Sequence, residues 1–172
     1  MLKGKLVYLR LLNPTDVDKV FAWENDPENW KVSDTTVPYT KEIIEEFVNA
    51  PQDIFVHNQL RLIICLNETN EAIGAIDFFE FDAIHQRCGV GLLIEPNQRK
   101  KGYGLEALSL IEPYASKEIG IRNLFANILI DNEGSIQVFE KAGYLKVGHK
   151  KNWFNDHGNL IDELMYQKEL NS

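Results

Sequence analysis

The chain has 172 residues, 44% hydrophobic and 26% charged, which suits a soluble globular protein with a sizeable core and one domain over residues 1–172. Its formal net charge is −8, which argues against a nucleic-acid partner, because such a partner needs a basic face that displaces counterions. The start "MLKGKLVYLRLL" has no long apolar segment or cleavage-like site, and no apolar run approaches the ~18 residues of a membrane span; the chain is read as cytoplasmic, with no membrane partner.

In chain order, "KLVYLRLL" alternates and is β-rich, a first strand. "NPTDVDKVFAWEND" reads as a helix capped by Asn13 or Thr15, with Asp16 and Asp18 favouring its first turn. "TKEIIEEFVNA" is a second helix, capped by Thr40 and stopped before Pro51. "LRLIICL", "AIGAIDFFEF" and "RCGVGLLI" are three strands joined by the turns "NETNE" and "DAIHQ". A helix follows from about Gly104 to Ile119, with Pro113 expected to kink or split it. "LFANILI" is a strand, "EGSIQVFEKAG" a helix ended by Gly143, and "YLKVGHKKNWF" and "LIDELMYQKEL" two closing strands. The order β-α-α-β-β-β-α-β-α-β-β predicts an α/β (α+β) fold: a mixed, mostly antiparallel sheet with helices on both faces.

Cys65 and Cys88 sit in apolar runs outside any CxxC pair and read as buried free thiols. His57, His85, His149 and His157 lack metal-ligand spacing, so no metal is expected.

The stretch "NQRKKGYGLEA" stands between a strand that ends at Ile94 and a helix that starts near Gly104. Gly102 and Gly104 allow a tight turn and a close approach by a ligand. The first N–H groups of the helix lack intrahelical partners, and with the helix dipole they form an anion site. Arg99, Lys100 and Lys101 add charge, and a pyrophosphate is the natural occupant. GxxxxGK[ST] and GxGxxG are both absent.

"RKKGYG" fits [QR]-x-x-G-x-[GA], "NEGSIQVFEKAGY" fits N-x-x-[SA]-x-x-x-[YFL]-x-K-x-G-[FY], and "WFNDHGNLIDELMY" reads as a closing hairpin. With these motifs in this order, nearly the whole chain resembles the GNAT superfamily of acetyl-CoA-dependent N-acetyltransferases. The likeness is to the branch of ribosomal-protein N-terminal and spermidine/diamine acetyltransferases.

The resemblance implies a GNAT-type sheet and acetyl-CoA as cosubstrate. Backbone groups of Leu92, Leu93 and Ile94 would pair with the pantetheine arm, and a bulge would splay that strand from the next. The N–H of Leu93 would hold the thioester oxyanion. Arg99, Lys100, Lys101, Gly102, Tyr103 and Gly104 would hold the pyrophosphate. Asn132 and Ser135 would flank the pantetheine, with helix capping the competing reading of both.

Transfer to an amine needs a general base. Relatives often carry a tyrosine acid where Phe139 stands here, and an acidic strand residue where Gly89 stands; Tyr144 reads as a core aromatic. The base candidates are Glu80 and Asp77. They are three apart on a strand and so face opposite ways unless a bulge intervenes. Glu95 and His85 read as turn residues. Glu24, Asp26 and Glu28 lie between Trp23 and Trp30, and with Glu42, Glu45 and Glu46 they suit a cationic amine. The hairpin text "HKKNWFNDHGN" lines the acceptor entrance or mediates a homodimer.

The expected function is direct acetyl transfer, in a ternary complex, to a polyamine or diamine or to a protein N-terminus. The absent acid and base leave a second class open: a catalytically weak CoA-binding sensor or interaction module.

Overall fold

The structure is a computed structural model that describes residues 1–33 and 35–171, without the side chain of residue 32. Its elements are β1 (Leu2–Lys3), β2 (Val7–Leu11), α1 (Val17–Glu24), α2 (Pro27–Ser33), α3 (Lys41–Asn49), α4 (Ile54–His57), β3 (Leu60–Leu66), β4 (Ala72–Asp82), β5 (Arg87–Ile94), α5 (Tyr103–Tyr114), β6 (Asn123–Leu129), α6 (Glu133–Lys141), β7 (Leu145–Asp156) and β8 (Asn159–Glu169). The strands form one sheet in the order β1-β2-β3-β4-β5-β6-β8-β7. Every neighbouring pair is antiparallel except β5–β6.

β3 and β4 are apolar on both sides because helices cover both faces of the sheet. Ala107, Leu108 and Ile111 of α5 and Phe139 of α6 share a core with Ile64, Ile76 and Phe78. Val20 and Trp23 of α1 and Ile44 and Val48 of α3 pack with Ile63, Cys65 and Ala75. Neighbours in sequence such as Ile63 and Ile64 therefore go to opposite cores, as strand alternation requires. Each such side chain, fully buried, contributes on the order of 2 kcal/mol.

Several local readings are refined. The first strand breaks into β1 and β2 around Gly4, where the N–H groups of Lys5, Leu6 and Val7 all donate to the Glu106 carboxylate of α5 at 2.8–3.0 Å. Asn13 caps a short 3₁₀ turn, Pro14–Asp16, that leads into α1. The end of the "WENDPENW" stretch is a separate helix, α2, and the unforeseen α4 is capped by Asp53. Thr40 caps α3 as expected. Pro113 does not split α5; the helix passes through it and widens into one π turn, Ala115–Ile119, before Gly120 ends it at φ +82°. The β7–β8 hairpin turns on His157 (φ +50°) and Gly158 (φ +94°), the two positive values a type I′ turn requires.

Candidate functional site

β5 and β6 run side by side only from Arg87–Gly89 against Asn123–Phe125. Beyond Gly89 they part, and each keeps an unpaired backbone edge toward the gap. A cleft of about 730 Å³ fills the gap. Its walls include Leu92, Phe139, Asn132 and Ser135 toward α6, and Trp23, Phe47 and Arg61 toward α1 and α3. The cleft thus opens through the sheet. The expected bulge is not what parts the strands: β5 keeps regular register with β4 from Gly89 to Ile94, and the irregularity in that pair lies between Phe79 and Asp82.

That register reassigns the backbone donor. Glu95 N–H donates to Ile73 O at 2.9 Å, so alternation turns the N–H of Leu93 toward β4 and those of Leu92 and Ile94 toward the gap. Arg99 Nε donates to Ile94 O at 3.0 Å, which fits an Ile94 carbonyl pointing away from β4. Leu92 and Leu93 both line the cleft, but only Leu92 turns its N–H toward the gap, against the expectation for Leu93. The Leu93 carbonyl stands in the space a Cβ on Gly74 would need.

The glycine corner has the expected form. Gly102, at φ +85°, is the cap of α5, and Lys100 before it is also left-handed at φ +61°. A Cβ on Gly104 would press to 3.0 Å from the Leu92 side chain, so glycine lets α5 start against the slot strand. Arg99, Lys100 and Lys101 are exposed, and Tyr103 is half-buried as the first residue of α5. Lys101 Nζ reaches Gln98 Oε1 at 2.9 Å. Asn132 caps α6, accepting from Ser135 N–H at 3.2 Å, and both residues also line the cleft. The capping role and the place beside the slot coexist.

The carboxylates sort sharply. Glu80 sits in the β4 irregularity at φ +49°. The bulge brings it to the same cleft as Asp77, which simple alternation forbids. Asp77 is occupied: Arg61, its register partner on β3, donates Nε to Oδ1 at 2.7 Å and a terminal nitrogen to Oδ2 at 2.9 Å. The same guanidinium reaches Glu24 at 2.5 Å and lies over the Phe47 ring at 5.3 Å. Burial opposes the charge on Arg61, but Asp77 and Glu24 together outweigh it and push its pKa up. Sequence reasoning missed Arg61; its place next to apolar Leu60 and Leu62 on a buried strand was the available signal.

Of the three acids expected to meet an amine, Glu24 alone lines the cleft. Asp26 caps α2 by accepting from Glu28 N–H at 3.0 Å, and Glu28 is exposed in the first turn of that helix. Glu42, Glu45 and Glu46 are exposed on α3. Glu95 accepts from Trp23 Nε1 at 3.0 Å and Lys19 Nζ at 2.7 Å, a structural tie between β5 and α1. His85 is exposed in the β4–β5 turn.

Phe139 is 3% exposed and lines the cleft, its ring edge-on to Tyr144 at 5.0 Å. Tyr144 is 1% exposed, its hydroxyl has no hydrogen-bond partner among the described residues, and burial pushes that phenol's pKa up. It is a core aromatic rather than a proton donor to the cleft. The β7–β8 hairpin adds Lys150, Trp153 and Glu163 to the lining, and Lys31 of α2 binds its Asp156 at 2.6 Å. The hairpin text therefore lies beside the cleft. Among the described residues no group of His, Cys, Asp and Glu is placed to hold a metal, and no helix is long and apolar enough to cross a membrane.

Residues 7–145 match the family model described as acetyltransferase (GNAT) domain. An uncharacterised N-acetyltransferase of Bacillus licheniformis is 26% identical over 92% of this chain and 89% of its own length. The spermidine N(1)-acetyltransferase of Escherichia coli is 23% identical over 95% of this chain and 87% of its own length. In fold, the chain is similar to the spermidine N-acetyltransferase of Vibrio cholerae solved with CoA and spermine (TM-score 0.83, 18% identity, 95% of both chains). It is also similar to a GNAT-family acetyltransferase of Bacillus anthracis (TM-score 0.81, 24% identity, 98% and 97% covered). The parted sheet is that of an acyltransferase. The chain belongs to the GNAT acetyltransferase family, and with it to the enzymes that carry an acyl group from acetyl-CoA to an acceptor.

Proposed function

We propose that residues 1–172 act as one domain that moves an acetyl group from acetyl-CoA directly to a primary amine while both are bound. The carrying observation is the cleft opened where β5 leaves β6, with the Leu92 edge on one wall and Glu80 at its rim. A relative bearing the name spermidine N(1)-acetyltransferase supports a polyamine or diamine acceptor, and a protein N-terminus is the other amine in this reading. Buried free Cys65 and Cys88 fit a reducing compartment, and a cytoplasmic site of action is part of this reading. So is a homodimer, for which the outer edge of β7, last in the sheet, offers a pairing surface.

The residues present fit acetyl-CoA: an unpaired strand edge, a glycine corner that a side chain would fill, and a helix N-terminus flanked by cations. Leu92, Leu93 and Ile94 would carry the pantetheine, with the slot-side groups of Leu92 and Ile94 making the bonds. Arg99 to Gly104 would hold the pyrophosphate, and Asn132 and Ser135 the arm between. When bound, acetyl-CoA supplies the activated acetyl thioester.

Glu80 accepts a proton from the incoming ammonium, directly or through water, and frees the nitrogen lone pair. Leu92 N–H donates to the carbonyl oxygen as negative charge gathers there; one such donor is worth about 3 kcal/mol in other enzymes. Phe139 has no proton to give, so the second proton lost by the acceptor nitrogen would pass, directly or through water, to the departing sulfur, which leaves as the thiol. The walls of the cleft hold the amine against the acyl carbon, which carries much of the rate.

The test is acetyl transfer read by mass spectrometry, with spermidine, spermine, putrescine, amino acids and short peptides, on the natural chain and on Glu80→Gln. The expected result is acetylation of one amine class, with the variant slowed about 100-fold or more at unchanged acetyl-CoA affinity. Acetyl-CoA bound with no amine acetylated would replace this reading with the sensor.

A further inference from the structure

Two walls of the cleft belong to different halves of the parted sheet. One is helical, with Trp23 of α1, Lys31 of α2 and Phe47 of α3, and it stands on the β3–β4 half, where α1 and α3 pack. The other is the β7–β8 hairpin with Lys150 and Trp153, which lies beyond β6 on the far side of the gap. Lys31 joins them: its ammonium meets the Asp156 carboxylate, just before the hairpin turn, at 2.6 Å. Among the described residues no other ion pair or side-chain hydrogen bond ties α1, α2 or α3 to the hairpin. Each partner supports the other's charge: the hydrogen bond to Asp156 pushes the Lys31 pKa up, and the same bond holds the Asp156 carboxyl below its usual value. The two side chains are 42% and 26% exposed, so the tie is weak and salt-sensitive, and it can open without unfolding either wall.

Resting on the acetyl-transfer reading above, in which acetyl-CoA enters from the α5–α6 side and the amine from the α1–α3 side, we infer that the Lys31–Asp156 pair is a clasp across the acceptor mouth and sets how bulky an acceptor the site admits. Closed, it holds α2 to the hairpin and leaves the space between the walls to a slender chain. An acceptor with a wide body has to part the walls, and the lost tie adds to its cost of binding. An exposed ion pair is worth about two- to fivefold in an equilibrium, so the clasp grades acceptors by bulk rather than excluding any outright. The class it favours is a primary amine on an unbranched chain. Lys31 and Asp156 are specificity residues: they act through the width of the mouth and touch no reacting atom.

The experiment compares kcat/KM within two acceptor pairs: alaninamide against a short alanine peptide amide, and spermidine against spermidine benzylated at one end. Within each pair the charge is matched and the bulk differs. The proteins are the natural chain, Lys31→Met, Asp156→Asn and the double variant, with acetyl-CoA affinity and thermal melting measured alongside. Lys31→Met and Asp156→Asn change the charge of the mouth in opposite directions, so a shift of the same sign in both reports the clasp and not the charge. Each should raise the bulky-to-slender ratio about two- to fivefold, mainly through KM, at unchanged acetyl-CoA affinity. The double variant should shift no further than either single one, because the tie is already lost. High salt should carry the natural chain toward the variants. Hydrogen exchange should quicken in α2 and at the hairpin turn together. Ratios unmoved in the single variants, shifts of opposite sign, or additive shifts in the double variant overturn the inference. If no amine is acetylated, the acetyl-transfer reading fails separately. Calorimetric binding of the same pairs to the CoA complex then decides the inference by the same ratios.

Discussion

The ring of Phe79 stands where a side chain on Gly89 would have to go. The two residues are register partners on β4 and β5, and a Cβ on Gly89 would collide with the Phe79 ring. Phe79 is itself held edge-to-face by Phe125 at 5.6 Å. The strand position expected from the resemblance to hold an acid is therefore filled here by an aromatic from the neighbouring strand. Gly89→Ala should destabilise the fold by about 1–3 kcal/mol through overpacking. Adding Phe79→Ala should recover part of the loss specific to Gly89→Ala, read as non-additivity in a double-mutant cycle of denaturant melts.

Gly74 does similar service for the slot strand, against backbone rather than a ring. The Leu93 carbonyl that blocks a Cβ there has no rotamer to escape into. Gly74→Ala should therefore push β5 at Leu93 and misplace the Leu92–Ile94 edge. We expect acetyl-CoA affinity to fall about tenfold, roughly 1.4 kcal/mol, by titration calorimetry. Unchanged affinity would mean that this edge does not carry the pantetheine.

Glu106 ties the chain start to α5 by accepting three successive backbone N–H groups, Lys5 to Val7. Glu106→Ala strands those donors and should cost about 2–3 kcal/mol, with Glu106→Gln costing less because one acceptor oxygen remains. Hydrogen exchange would report faster exchange at Lys5, Leu6 and Val7 before any other segment responds.

Burial pushes the Cys88 thiol up to about 12, while its Sγ lies 3.2 Å from Phe79 O. The thiol is held neutral in the folded chain and ionises more readily when unfolded. A group with a raised folded pKa contributes stability fully below its unfolded value, near 9, and loses it as pH rises toward the folded value. Melting from pH 7 to 10.5 should therefore show an alkaline fall that is shallower in Cys88→Ala. Iodoacetamide at pH 8 should leave Cys88 of the folded chain unmodified.

Much of the molecule could be read from residues in order. Alternation in "KLVYLRLL" and the helical text of "KEIIEEFVN" needed no partner to be recognised. Gly102 announced a tight turn before a helix, and Thr40 a cap, because both are local backbone demands. The short helices α2 and α4 escaped because seven and four residues carry too little period to be seen.

What the chain text determined by itself is the kind of fold and the corner with its glycines, since each depends on residues within a few positions of one another. The tertiary structure decided the rest. Asp77 is engaged and Glu80 free because Arg61, sixteen positions from Asp77, lies opposite it across two strands while a bulge turns Glu80 to the same cleft. The N–H of Leu92, and not that of Leu93, faces the gap because the pairing of Glu95 with Ile73 sets which way each N–H points. A strand's own pattern says which side chains share a face. Which groups meet across the sheet is set by register between segments the sequence keeps apart.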